Sequence, residues 1–310
     1  MPEAEFSSYY GRPIVKEPTW QALDIAGYLF LGGLAGASSA LGAGAQLTGR
    51  HALARPLKLG AAGAISLSLV ALVHDLGRPA RFLYMLRVFK PTSPMSVGVW
   101  LLSAYAPAAG LAAAQELVDL GPLAPLAPLG GAVAGLLGPA VASYTAVLIA
   151  NTATPAWHEA RRELPFVVVG SAAAAAGGLG LAFAPARESG PARRLALLGA
   201  LCELTAMRRL HSRVGLLDEC YRSGRAGRLV ALAEGLTAAG GALAALGLAR
   251  RRPRAGARRS RLAAVLGGSA LLAGSACARF GIFEAGLAST RDPRYTVSAQ
   301  REKLREDAAG

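Results

Sequence analysis

The chain has 310 residues, of which 53% are hydrophobic and only 17% charged, and its mean hydropathy is +0.37. Average soluble domains carry about 25% charged residues. Here the apolar residues fall in long blocks between charged clusters, which excludes an ordinary water-soluble domain. The formal net charge of +14 sits mostly on arginines in the connections, with no basic stripe on a soluble module. That pattern argues against nucleic-acid binding and for membrane topology and contact with anionic headgroups.

The start, MPEAEFSSYYGRP, carries acids and no basic leader, and the first apolar run is too long for a signal-peptide core. No cleaved signal peptide is expected. Eight candidate spans follow: Ala22–Gln46, Leu57–Leu76, Met95–Leu117, Gly130–Asn151, Leu164–Ala184, Arg193–Leu210, Leu229–Ala249 and Leu262–Phe280. Each is near the ~20 residues that a ~30 Å hydrocarbon layer demands. The expected fold is therefore all-α and integral to the membrane, with eight transmembrane helices and both termini on one side, face A. The other side is face B. Residues 1–21 and 281–310 read as extramembrane segments. Residues 22–151 and 164–280 read as two sets of four spans. Gly32 with Gly36, and Gly131 with Gly135, form GxxxG pairs that suit close helix packing.

Between the second and third spans lies HDLGRPARFLYMLRVFKPTSPMSVGVW, His74 to Trp100. It holds Arg78, Arg81, Arg87 and Lys90, three prolines and several aromatics. It is too polar for lipid, and its prolines fix the backbone. A rigid, partly re-entrant loop roofing a site on face A is expected. Aromatics gather at the same face, among them Trp20, Tyr28, Phe89, Trp100, Tyr144 and Trp157, whereas only Phe183 falls clearly near face B. An ordinary aromatic belt decorates both interfaces, so face A is expected to bind something. The longest face B loop, RRRPRAGARRSR, is basic without an acid, as cytoplasmic loops are.

Ionisable residues inside spans are functional candidates. Glu203 is the deepest, in LGALCELTAMRRLH, with Met207 and His211 following on the same helical face toward face A. It is a candidate proton relay or the partner of a buried arginine. Tyr144 lies about two turns inside the fourth span, and Asn151 is seven residues on, so both can point the same way. A phenol and an amide aimed into an apolar cavity suit the carbonyl oxygens of a quinone. A tyrosine simply bonding a backbone carbonyl is the alternative. Tyr28 and Asp24, one turn apart, are placed to line the same cavity. Histidines paired at matching depths, which bis-His haem needs, are lacking. Cys202, Cys220 and Cys277 form no CxxC, so no metal site is expected in this chain.

Several pieces together resemble the NrfD, or polysulfide-reductase, family of membrane subunits. They are SYYGRP, YLFLGGLAGA, DLGRPARF, FKPTSPMSVGVW, SYTAVLIANTATPAWH, YRSGRAGRL and DPRYTVSAQR, with the PTSPMSxGxW loop the most specific. The resemblance implies two four-helix bundles, no haem, and a quinone site in the first bundle near face A. It also implies a docked 4Fe-4S iron–sulfur subunit, which passes electrons to or from a molybdopterin catalytic subunit. The tyrosine of the family's quinone site matches Tyr144. The early polar position of the first span falls at about Tyr28, where this chain departs from the family's histidine.

On this reading the chain is non-catalytic alone and lies in a bacterial inner membrane, with its termini on the docking face and leaning extracytoplasmic. Menaquinone or ubiquinone is oriented by Tyr144 and Tyr28, with Ser93, Trp100 and Asn151 nearby. Asp75, Asp24 or His74 exchange protons with face A. A passive anchor and a polytopic transporter are the rival classes.

Overall fold

The computed structural model describes residues 14–249 and 257–297. The SYYGRP segment, most of the RRRPRAGARRSR loop and the last part of the tail lie outside the described residues. Within them the regular structure is helical: α1 Ala22–Leu47, α2 His51–Asp75, α3 Arg81–Met85, α4 Pro94–Ala114, α5 Leu126–Ala150, α6 Pro155–Glu159, α7 Leu164–Phe183, α8 Gly190–Arg213, α9 Asp218–Arg222, α10 Gly224–Ala249 and α11 Ala257–Arg291. Proline begins α4 and α6, where its missing N–H costs no helical bond. Glycines with positive φ turn the chain after α1 (Gly49, 71°) and after α2 (Gly77, 67°).

Seven described helices are long and apolar enough to cross a membrane: α1, α2, α4, α5, α7, α10 and α11. The sixth expected span, α8, has the length at 24 residues, but Arg193, Arg194, Glu203, Arg208 and Arg209 interrupt its apolar character. Several helices outrun the expected spans, most of all α11, which continues past Phe280 to Arg291, whereas α4 stops at Ala114, short of the expected Leu117. Apolar runs mark where lipid touches a helix, whereas the backbone ladder propagates into polar flanks once nucleated.

Helix α1 packs on α2 and α5, and α4 packs on α5 and α2. Helix α7 packs on α8 and α11, and α10 packs on α11 and α8. The two groups meet where α1 contacts α7 and α11. Small residues let the backbones touch: a Cβ on Gly36 of α1 would overlap the Gly138 carbonyl of α5, and a Cβ on Gly138 would overlap that of Gly36. Gly36→Ala is therefore expected to cost about 1–3 kcal/mol by overpacking, read as a lower thermal midpoint in detergent. An unchanged midpoint would mean that α1 and α5 do not cross there.

Polar ties close both ends. At face B, Glu188 accepts from the Leu53 N–H at 3.0 Å, and Lys58 pairs with Glu116 at 2.7 Å. Arg261 donates to the Leu181, Ala182 and Ala184 carbonyls at the C-terminus of α7 (3.2, 2.5 and 2.9 Å), where helical donors run out. At face A, Arg213 grips Glu163 at 2.6 and 2.8 Å, and the Tyr221 hydroxyl donates to the Ala156 carbonyl at 2.9 Å. Burial pushes the Cys220 thiol in this cap up to about 11, so it stays protonated at neutral pH and is a poor nucleophile or metal ligand.

Candidate functional site

Helices α1, α4 and α5 bring two phenols together. The Tyr28 hydroxyl donates to the Tyr144 hydroxyl at 2.6 Å. Tyr28 is 1% exposed, and Tyr144 is only partly buried. Two phenols hold two protons, and the bond between them uses one. With Tyr28 as donor, the Tyr144 proton stays available for an acceptor outside the pair. The Ser68 hydroxyl donates to the Tyr28 carbonyl at 3.2 Å and ties α2 to the same turn of α1.

Gly98 of α4 makes room for Tyr144. A Cβ there would overlap the hydroxyl-bearing edge of the Tyr144 ring, so the ring lies directly on the α4 backbone. Gly98→Ala is expected to push the ring off that surface and break the Tyr28 bond. It should weaken any ligand held by the Tyr144 hydroxyl by about tenfold, the worth of one net hydrogen bond. Equal ligand affinity in Gly98→Ala and wild type would show that the ring's seat does not matter. A second phenol bond lies further along α1, where Ser39 and Tyr105 of α4 share a hydrogen bond at 2.8 Å.

One turn before Tyr28, Asp24 is 8% exposed and bonded to His74 Nδ1 at 2.8 Å. The His74 side chain is 70% exposed. A buried carboxyl is thus joined to a water-facing imidazole at the entrance to the α1–α2 interface. Asp75 accepts from the Gln21 N–H at 3.1 Å and ties the start of α1 to the end of α2. Among the described residues, no cluster of three His, Cys, Asp or Glu could hold a metal ion.

Other expected site residues lie elsewhere. Asn151 is exposed and caps α5 with φ −90° and ψ 42°. Its N–H still donates to the Val147 carbonyl at 3.0 Å, so the seven-residue step keeps Asn151 on the face of Tyr144 but about two turns further out, at the helix end. Ser93 precedes α4 and makes no side-chain capping bond. Trp100 is 41% exposed, and its indole N–H donates to the Val88 carbonyl at 3.3 Å. Ser96, which the sequence reading passes over, pins the loop, accepting from the Lys90 N–H (2.9 Å) and donating to the Val88 carbonyl (3.0 Å). The loop is less covered than expected: α3 buries no residue, and Leu83, Tyr84, Val88 and Phe89 are all more than half exposed. Glu203 stands on α8, in the second group of helices, 3% exposed.

The model of the polysulphide reductase, NrfD family matches residues 15–213, well over half of the chain and all of α1 to α8. The chain belongs to the NrfD family. It is a multi-pass membrane protein of a family whose members serve quinone-reactive oxidoreductase complexes alongside iron–sulfur and molybdopterin subunits. No curated protein matches the chain. The matched region contains Tyr28, Tyr144, Asp24, His74, Gly98 and the whole His74–Trp100 loop, and it stops before α9, α10 and α11.

Proposed function

We propose that this NrfD subunit exchanges electrons between the membrane quinone pool and an iron–sulfur subunit docked at face A, with linked proton exchange. The observation that carries the reading is the Tyr28–Tyr144 pair, a buried phenol holding a partly accessible one whose own proton is unspent. The group fits the donor set. A quinone carbonyl needs one or two donors and otherwise apolar walls, and Tyr28 and Tyr144 pack in an apolar cluster with Ile25, Leu29, Leu102 and Leu148. When bound, the quinone supplies two-electron, two-proton redox chemistry. The protein's part is to donate the Tyr144 hydroxyl to its oxygen, to keep that hydroxyl oriented through Tyr28, and to move protons between Asp24 and water through His74.

In this reading α8 is the eighth transmembrane helix, and the helices form two four-helix bundles, α1–α2–α4–α5 and α7–α8–α10–α11. One arginine at each of its ends reaches a polar group, Arg193 at one and Arg213, on Glu163, at the other. Arg193 donates to the Gly247 carbonyl at 3.0 Å, consistent with a crossing helix whose charges snorkel. The partner complex carries a molybdopterin catalytic subunit. Menaquinone and ubiquinone both suit the donor set. The membrane is the bacterial inner membrane, with the termini on the extracytoplasmic docking face. The exposed apolar and basic side chains between Arg81 and Trp100 suit a docking surface.

The test is a titration of the purified chain with short-chain menaquinone, followed by tryptophan fluorescence. Saturable quenching that weakens in Tyr144→Phe is expected. Quenching that never saturates, or that ignores the substitution, would favour a passive anchor.

A further inference from the structure

Outside the phenol site, the structure buries an arginine and a glutamate together between α7, α8, α10 and α11. Arg279 of α11 is 2% exposed. Its Nη2 donates to the Val168 carbonyl at 2.6 Å, while its Nε and Nη1 have no partner. Glu203 of α8 lies close enough to act on it electrostatically. Thr237 of α10 donates to Glu203 Oε2 at 3.3 Å, and Ser171 of α7, itself bonded to Ser275 at 2.9 Å, lies against the same carboxyl. Cys202, next in sequence, turns away to the Phe166 carbonyl. A guanidinium does not give up its proton in a protein. Of the two facing groups, only Glu203 can change charge.

The cluster connects toward face A. Glu234 precedes Thr237 by one turn of α10, about 4.5 Å of rise, and its Oε1 lies 3.6 Å from His211 Nε2. His211 Nδ1 is hydrogen-bonded to Asp218, whose other oxygen binds Arg222 at 2.5 Å. The Tyr221 ring meets His211 edge-on. An open cleft of about 430 Å³, lined by His211, Glu234, Arg208 and Arg222, leads outward from these groups. A buried carboxyl beside an under-satisfied cation is thus bonded to Thr237, one helical turn from Glu234, which is 38% exposed and faces the largely buried His211.

We propose that α8, α10 and α11 form a proton-exchange path of their own, with Glu203 as the inner proton-holding group and Glu234, His211 and Asp218 as its link to water at face A. A proton from bulk water adds to His211 or Glu234, and one leaves that pair for a Glu203 carboxylate oxygen across the Thr237 hydroxyl. Glu203 goes from −1 to neutral, no electron moves, and the added positive charge is the proton itself. Arg279 holds the site's fixed positive charge, so the Glu203 carboxylate balances that charge and its protonation leaves the charge unbalanced. The path stands apart from the quinone reading, since none of these groups bonds to Tyr28 or Tyr144 and its test uses no quinone.

The experiment is infrared spectroscopy of the full-length chain in lipid nanodiscs, titrated over pH and then transferred to D₂O. The expected result is a protonated-carboxyl C=O band that grows as pH falls, disappears in Glu203→Gln and shifts promptly in D₂O. Thr237→Val keeps both carboxyls and removes only the bridging hydroxyl. It should move the band's frequency and slow its exchange about tenfold, the cost of one lost hydrogen bond. Glu234→Gln should slow the exchange similarly. The frequency change in Thr237→Val assigns the band even if Glu203→Gln does not fold. A band that resists D₂O for hours, exchange that ignores both Thr237→Val and Glu234→Gln, or the lack of any band that responds to Thr237 would overturn the proposal.

Discussion

Replacing Tyr144 by Phe is expected to lower quinone-linked electron transfer of the assembled complex about 100-fold, the usual cost of deleting one donor aimed at a developing oxyanion. The ring keeps its seat on Gly98, so helix content and assembly should be retained. The change does leave the Tyr28 hydroxyl buried without its acceptor, a cost of about 1–3 kcal/mol in stability. Tyr28→Phe makes the contrast. There Tyr144 keeps its own proton and loses only its orienting partner, so turnover should fall less, by about tenfold. Steady-state assays of both variants with a soluble quinol separate the roles. Equal losses in the two would mean that the bond between the phenols matters, and not donation from Tyr144.

Trp157→Ala is expected to be the most destabilising single change, costing about 3–5 kcal/mol. Trp157 of α6 is 0% exposed, and its indole N–H donates to the Ile282 carbonyl at 2.7 Å. It stacks on Trp20 at 6.1 Å and lies against Phe283 at 5.5 Å between ring centroids. Gly286 of α11 is bare where the indole passes, since a Cβ there would overlap the ring. The side chain therefore locks the α5–α7 connection onto α11, across the two groups of helices. A thermal melt in detergent reads the effect. Trp157→Phe, which keeps most of the apolar contact and loses the N–H, should fall between Trp157→Ala and wild type. Identical melting of Trp157→Ala and wild type would remove Trp157 as the clamp.

Much of the fold is legible because lipid imposes a coarse rule: apolar blocks of the right length become helices. That rule is weakest at α8, where Glu203 and four arginines dilute the apolar run, and the helix is recognisable mainly by its length. It also says little about where helices end. Asn151 falls on the face of Tyr144, but α5 ends beside it at Ala150 and leaves it exposed. The site is legible by parts. Tyr28 and Asp24, one turn apart, read as facing one cavity, yet the structure gives Tyr28 to Tyr144 and Asp24 to His74. Those partners follow from which helices α1 crosses, and a single sequence does not carry that. Asp75, a proton-exchange candidate by position, is engaged with a backbone N–H. Gly98 looks like any other small residue until the Tyr144 ring is seen on it. Arg279 does carry a signal, an ionisable residue inside an apolar run, but it lies beside the expected end of the last span at Phe280, where charged side chains are ordinary.

A quinone is expected to bind against Tyr144 between α1, α4 and α5. Photoaffinity labelling with an azido-quinone in native membranes, followed by peptide mapping, tests it most directly. Label is expected on peptides from residues 22–47, 94–114 and 126–150, displaced by excess unlabelled quinone and lost in Tyr144→Phe. Label confined to α7–α11, or spread over lipid-facing helices and indifferent to competitor, would contradict it.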